Sequence, residues 1–388
     1  MAINKFDNSM LDAGTIGTTA NKLLQLDGSA KIPAVDGSLL TGIPSSFTKN
    51  ASDPTISTNP SGGVGTIWGN TTSGEAYCCT DATAGENIWI NIGAGTDDIQ
   101  NTSWLGGRGI IAGGESNGGS KSNAIDYITI ATAGNGTDFG DLLSTRSYPA
   151  GMTGNSGARG VFGGDQYGNI IDYITIGTLG NSTDFGDRTN SARNCAGCSN
   201  GVRGVMAGGY LSGGPEVNTM DYITIATPGN AIDFGDMTIA KETRAGLGNS
   251  TRGLIAGGYP SINTIDYITI ANTGNASDFG DRTTTGNGFG ACGSTTRGIF
   301  MGSSNATTNI IDYVTIDTLG NAIDFGDMTA TTRFNTATSS NTRAVSAGAY
   351  PQENRMEYVT IDTPGNAIDF GDLISASRGV FPGSCSGD

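Results

Sequence analysis

The sequence contains no histidine among its 388 residues. That absence excludes a Ser-His-Asp triad, a Cys-His pair, a histidine-ligated zinc and a histidine-based pH switch. Charge is scarce as well: 14% of residues are charged, against roughly 25% in an ordinary globular domain. The 20 Lys and Arg are outnumbered by 36 Asp and Glu, for a net charge of −16. A basic surplus of the kind that binds nucleic acid or an anionic membrane is therefore missing. No stretch approaches the roughly 18 to 20 apolar residues of a membrane-spanning helix, so no membrane insertion is expected. The opening residues Met1 to Asp12 lack the apolar core of a signal peptide. Six cysteines, unevenly placed, are too few for a disulfide scaffold. The composition points away from an enzyme, and no catalytic residue, metal site or cofactor is expected.

Glycine is abundant, with 63 residues, but it does not recur every third position, which excludes collagen. From residue 104 to the end one unit repeats six times. Its core reads I-D-Y-I-T-I-x-T-x-G-N-x-x-D-F-G-D, followed by a Thr- and Gly-rich stretch and then R-G-x-x-x-G-G. The tyrosines are Tyr127, Tyr173, Tyr222, Tyr267, Tyr313 and Tyr358, spaced by 46, 49, 45, 46 and 45 residues. A phenylalanine follows each by 12 residues: Phe139, Phe185, Phe234, Phe279, Phe325 and Phe370. A segment that tolerates no insertion behaves as one rigid element.

The unit reads as four short strands. I-D-Y-I-T-I alternates apolar and polar residues and is rich in β-branched and aromatic types. The Gly-Asn pair supplies a turn, and D-F-G-D returns as a strand. R-G-x-x-x-G-G is a third strand, starting at Arg108, Arg159, Arg203, Arg252, Arg297 and Arg343. The weaker stretch before each arginine is the fourth. About 46 residues in four strands is the size of a propeller blade. The first unit has no convincing strand before Arg108, while the chain ends in an unassigned tail, L-I-S-A-S-R-G-V-F-P-G-S-C-S-G-D. The expected fold is therefore all-β: a six-bladed β-propeller over residues 104–388 in which the C-terminal strand closes the first blade. Ring closure of this kind leaves no open edge between first and last blades.

The Gly-Gly pairs Gly113-Gly114, Gly163-Gly164, Gly208-Gly209 and Gly257-Gly258, each followed by a loop and a tyrosine strand, resemble kelch repeats. Phe stands where kelch repeats usually carry Trp, and units five and six replace the Gly-Gly pair with Gly302-Ser303 and Gly348-Ala349. The D-Y-I-T-I and D-F-G-D form looks more like repeats in fibre proteins of tailed bacteriophages. The N-terminal region carries two further resemblances of that kind. Residues 1–43, with Leu23 to Ile43 punctuated by Asp-Gly and Pro, resemble the neck of a phage tail fibre, where three chains wrap together. Residues 44–63 read as a linker. Residues 64–103 read as a small β-module, and G-T-I-W-x-N-T-x-x-G-E-x-Y-x-C-T-D within them is similar to modules common in phage fibres.

These resemblances imply a virion fibre, exposed on the particle surface after assembly in a host cytoplasm. It would be a homotrimer, joined to other tail or baseplate proteins through its N-terminus, and would bind a host cell-surface glycan or receptor. Two alternatives use the same fold: a structural virion protein, as head decoration or tail connector, and a glycan depolymerase. The kinase-like D-F-G occurs six times at blade spacing without a phosphate loop or helices, so it reads as architecture. Cys195 and Cys198 form a single C-x-x-C, better explained as small buried side chains than as a zinc site. The six R-G arginines read as structural, pairing with aspartates or with backbone carbonyls.

The loops between each R-G strand and the next tyrosine strand carry the functional signal. The arginine-to-tyrosine spacing varies from 14 to 19 residues, and the loop sequences differ completely. Tyr167, Tyr210, Tyr259 and Tyr350 offer flat faces to sugar rings. Asn117, Asp165, Glu216, Asn305 and Gln352 offer partners to sugar hydroxyls. In a four-strand meander these loops share one face of the ring with the D-F-G-D exits, away from the face on which the N-terminal stalk enters.

Overall fold

A computed structural model describes residues 47–92 and 107–386, apart from 73–74, 117–118, 148, 155–157, 165–167, 243–244, 304–307, 351–352 and 376–382. Among the described residues the chain is all-β, without a helix. It divides into two compact units, residues 1–98 and 99–388. The proposed anchor at residues 1–43 lies outside the described residues.

The first unit is one four-stranded sheet, Phe47–Asn50, Ile67–Asn70, Ala76–Asp81 and Ile88–Asn91, in that order. Its first pair is parallel and the other two are antiparallel. Part of the stretch read as a linker is thus folded into this sheet. Ile56 is buried there, Trp68 Nε1 donates to the Ser52 carbonyl at 2.9 Å, and Asn87 Nδ2 donates to the Ile56 carbonyl at 2.6 Å. Trp68 and Trp89 meet edge to face at 5.9 Å. Alternation along Ile88–Asn91 puts Trp89 inward, which leaves Ile88 and Ile90 half-buried on the other face.

The second unit holds six sheets. Sheets 2 to 6 each follow the chain as an antiparallel meander of first, second, third and fourth strands. Their first strands are Ala150–Gly154, Ala196–Ser199, Ala245–Gly248, Gly290–Gly293 and Thr336–Ser339. Sheet 3 has a fifth strand, Ala192–Arg193, which also pairs with its second strand. Sheet 1 takes its last three strands from Arg108–Ala112, Ser122–Thr129 and Thr137–Arg146, and its first from the C-terminus, Gly383–Ser386. The tail thus fills the place left open before Arg108. The six first strands contact one another in a cycle from sheet 1 through sheet 6 and back to sheet 1.

Repeated residues do repeated work between neighbouring sheets. Each D-F-G-D phenylalanine is buried and meets the tyrosine of its own sheet edge to face at 5.8–6.2 Å. Phe279, for example, packs with Leu254 and Ile265 of sheet 4 and with Val314 and Ile316 of sheet 5. Each R-G arginine donates to a backbone carbonyl just past the third strand of the next sheet: Arg108 to Ile176, Arg159 to Ile225, Arg203 to Ala271, Arg252 to Ile316, Arg297 to Ile361 and Arg343 to Ile130. Its guanidinium lies 4.1–4.8 Å from the centre of the tyrosine ring in its own sheet, within cation–π range. Of the two structural roles weighed from the sequence, it is the carbonyl partner that these arginines take.

The acid before each tyrosine has a role that the sequence did not disclose. Asp126, Asp172, Asp221, Asp266, Asp312 and Glu357 are all buried and hold the segment that follows D-F-G-D in the preceding sheet. Asp172 pairs with Arg146 at 2.9 Å and Asp221 with Arg188 at 3.0 Å. Asp312 accepts from Arg282 Nη2 at 2.8 Å and from the Thr283 amide at 2.9 Å. Asp266 and Glu357 accept from Thr238 and Thr329, and Asp126 from the Ile374 amide. Removing one partner of a fully buried ion pair strands the other charge, at a cost of about 3–5 kcal/mol. Arg282→Met is expected to lose that much in chemical denaturation, and adding Asp312→Leu is expected to recover most of it. A loss under 1 kcal/mol would mean that the pair does not join the sheets.

Candidate functional site

A meander gives every sheet two unlike ends. At one, the turn end, lie the turns from first to second strand and the Gly-Asn turns from third to fourth. The other, the loop end, carries the variable loops from second to third strand and the connections into the next sheet. A parallel bridge joins Gly154, at the end of one first strand, to Gly201 just past the next. Each of the six Gly-Asn turns docks on the preceding sheet through the same bond, so the six loop ends point the same way.

Architecture occupies the turn end. Each turn asparagine accepts, through Oδ1, from the amide of the final aspartate of the preceding D-F-G-D, at 3.0–3.1 Å. The last of these, Asn135 with Asp372, joins sheet 1 to sheet 6. At the loop end the bond that recurs stays within one sheet: Asn169, Asn218, Asn309 and Asn354 each donate through Nδ2 to the carbonyl just after their own D-F-G-D, at 3.0–3.4 Å. Two cavities lie among the first strands, one of about 110 Å³ toward the loop end and one of about 380 Å³ toward the turn end. Gly151, Gly197, Gly246, Ala291 and Ser384 line both, so the wall the two share is made of small residues.

The structure places four of the nine candidate binding residues. Tyr210, Tyr259 and Tyr350 occupy one repeat position, directly after Gly209, Gly258 and Ala349, in sheets 3, 4 and 6. Glu216 opens the third strand of sheet 3 and pairs in register with Tyr210. Tyr167, Asn117, Asp165, Asn305 and Gln352 lie outside the described residues. Sheets 3 and 4 meet beside Tyr210 and Tyr259, where Asn194 Nδ2 donates to Glu242 Oε2 at 2.6 Å. Tyr350 stands apart on sheet 6.

Each of the three tyrosines lies beside a residue the sequence reading passed over, three positions before a first strand: Arg193, Glu242 and Arg333. Tyr259 and Tyr350 donate their amides to the carbonyls of Glu242 and Arg333, both at 2.9 Å. Arg193 lies over the ring of Tyr210 at 5.1 Å and Arg333 over that of Tyr350 at 4.1 Å. A guanidinium therefore already covers one face of two of the rings. Tyr259, with Glu242 in place of the arginine, is 54% exposed and open. The common offset from the first strand was the signal that could have found these residues.

Among the described residues no three His, Cys, Asp or Glu side chains come together as a metal site. The C-x-x-C cysteines are free thiols, both buried. Cys198, Cys292 and Cys385 hold the same position in three first strands, and burial pushes each thiol up to about 12. An acid whose pKa rises on folding adds stability below its unfolded value and loses it as pH climbs toward the folded one. Stability from these thiols is accordingly expected to fall between about pH 9 and 12. At pH 8 a thiol reagent should modify Cys78, which is half-buried, far faster than the five buried cysteines. Equal rates for all six would contradict this packing.

The chain matches no family model and no curated protein.

Proposed function

We propose that residues 104–388 form a six-bladed β-propeller whose C-terminal strand closes the first blade, and that the chain is a fibre protein of a virion. On this reading the loop end binds a glycan on the surface of a host cell. The N-terminal region joins three chains to one another and to tail or baseplate proteins. The chain performs no catalysis of its own.

The observation that carries the reading is the contrast between the two ends of the sheets. Six nearly identical turns at one end spend their asparagines on the neighbouring sheet. At the other end six loops differ in length and sequence, and three present a tyrosine from one repeat position. A scaffold that repeats where it must pack and varies where it need not is how binding loops are carried on rigid folds. Exposed Tyr259 suits a sugar ring, since aromatic faces supply contact area at little conformational cost. Single sugars bound this way are held weakly, and three propellers on one fibre would multiply the effect through avidity.

The test is binding of the full chain to a panel of purified bacterial surface polysaccharides. At least one is expected to bind, and Tyr259→Ala is expected to weaken it about tenfold without lowering the melting temperature. Absence of binding across the panel, together with capture of the chain by other virion proteins through its loop end, would favour a structural role instead.

A further inference from the structure

The described arginines divide by what they touch. Six donate to carbonyls of the next sheet, as set out above, and Arg146, Arg188 and Arg282 pair with buried aspartates. Arg355 pairs with Glu353 at 2.9 Å and with Glu357. Arg193 and Arg333 remain. Both have aromatic contacts but no hydrogen-bond or ion-pair acceptor within the described residues, and Nε of Arg193 is buried without a partner. In each case the next residue is left-handed, Asn194 at φ 58° and Phe334 at φ 61°. Asparagine tolerates that conformation, whereas a bulky phenylalanine in it is strained, and strain of this kind collects at functional sites.

Around Arg333 the geometry is that of a small binding site. Its guanidinium stacks on Tyr350, and Phe334 meets the same ring edge to face at 6.2 Å. Stacking uses the π-face of the guanidinium and leaves its in-plane N–H groups free, the fork that matches a carboxylate. Arg333, Tyr350 and Glu353 line a cavity of about 220 Å³ together with Ser303 and Thr331. That is below the ~300–1,000 Å³ of pockets for drug-sized ligands, so it suits a single sugar ring.

We propose that this cavity is a subsite for an acidic sugar, with Arg333 holding the carboxylate of a hexuronate residue and Glu353 accepting from its hydroxyls. The inference rests on the glycan-binding reading and narrows it to a substrate class. Arg355 compensates Glu353 in the same wall, which leaves Arg333 as one unpaired charge and suits a singly charged group. The planar guanidinium fork matches a planar carboxylate, and a phosphodiester is the singly charged competitor. Arg193 on Tyr210 is the corresponding but less complete arrangement on sheet 3.

Calorimetric titration of the full chain at low salt, with hexuronate oligosaccharides and their carboxyl-reduced neutral counterparts, tests the proposal. A phosphodiester-linked hexose polymer is the third ligand. The hexuronates are expected to bind about 10- to 100-fold more tightly than the reduced oligomers, the range for hydrogen bonds to a charged group. Arg333→Gln is expected to abolish that difference, and Arg333→Lys to restore only a minor part of it. The melting temperature should fall by no more than about 2 °C, because Arg333 gives up its stacking on Tyr350 but its side-chain nitrogens donate to no acceptor among the described residues. Equal affinity for the reduced oligomers, tighter binding of the phosphodiester polymer, or undiminished binding by Arg333→Gln overturns the subsite. If the hexuronates fail while another surface polysaccharide binds, the subsite falls and the glycan reading stands. If no polysaccharide binds, both fall.

Discussion

Deleting residues 383–388 is expected to lower the melting temperature by about 10 °C and to make the protein aggregate on heating. The C-terminal strand pairs with Arg108–Ala112 over four residues. It also bonds sideways to sheet 6: Ser384 Oγ donates to the Ala337 carbonyl at 2.6 Å, and Thr338 Oγ1 to the Cys385 carbonyl at 3.0 Å. Cys385 packs into the cluster of Ile110, Phe162 and Ile174 that joins sheets 1 and 2. At about 1 kcal/mol net per hydrogen bond, with Cys385 burial added, the strand contributes roughly 4–6 kcal/mol. In a unit of this size that corresponds to about 10 °C. Removal also bares the edge of Arg108–Ala112, and unpaired edges associate with one another. Differential scanning calorimetry with light scattering reads both effects. An unchanged melt would mean that sheet 1 does not need its C-terminal strand.

Gly186→Ala is expected to cost about 3 kcal/mol, whereas Gly229→Ala, at the other side of the same contact, should stay within about 0.5 kcal/mol. Gly186 is the glycine of a D-F-G-D and sits at φ 144°. A Cβ there would lie 2.5 Å from the carbonyl oxygen of Gly229 in the next sheet's turn. Strain and overlap with backbone both count, and neither partner has a flexible side chain to yield. A Cβ on Gly229 itself would meet nothing within 4 Å. The arrangement recurs in all six D-F-G-D glycines, at φ 137–147° with the facing carbonyl at 2.4–2.5 Å. Urea denaturation of the two variants separates close approach from simple intolerance of change. Equal small losses would contradict the tight docking of turn on strand.

Much of this architecture was legible because the chain states it six times. A constant interval of 12 residues between tyrosine and phenylalanine leaves room only for a fixed hairpin. The missing strand before Arg108 and the spare tail after residue 372 pointed to each other, and the tail pairs with Arg108–Ala112. What stayed hidden depends on neighbours in space. Asp312 and its counterparts look like the polar half of an alternating strand, which would place them in solvent. They are buried because the preceding sheet brings Arg282 or a threonine hydroxyl to them. Arg193 and Arg333 share an offset from the first strand, but that strand is the weakest of the repeat in sequence, so the offset had no visible origin to be counted from. Phe47–Asn50 was masked by the Ser, Thr and Pro around it, although Ile56 and Trp68 hold that stretch in place.

The most direct test of the account is hydrogen exchange, followed peptide by peptide, on the full chain with and without a surface polysaccharide that it binds. Protection is expected in the loops after Gly209, Gly258 and Ala349 and in the segments holding Arg193, Glu242 and Arg333, while the six Gly-Asn turns exchange as before. Protection of those turns, or of the N-terminal unit in place of the loops, would contradict the assignment of binding to the loop end.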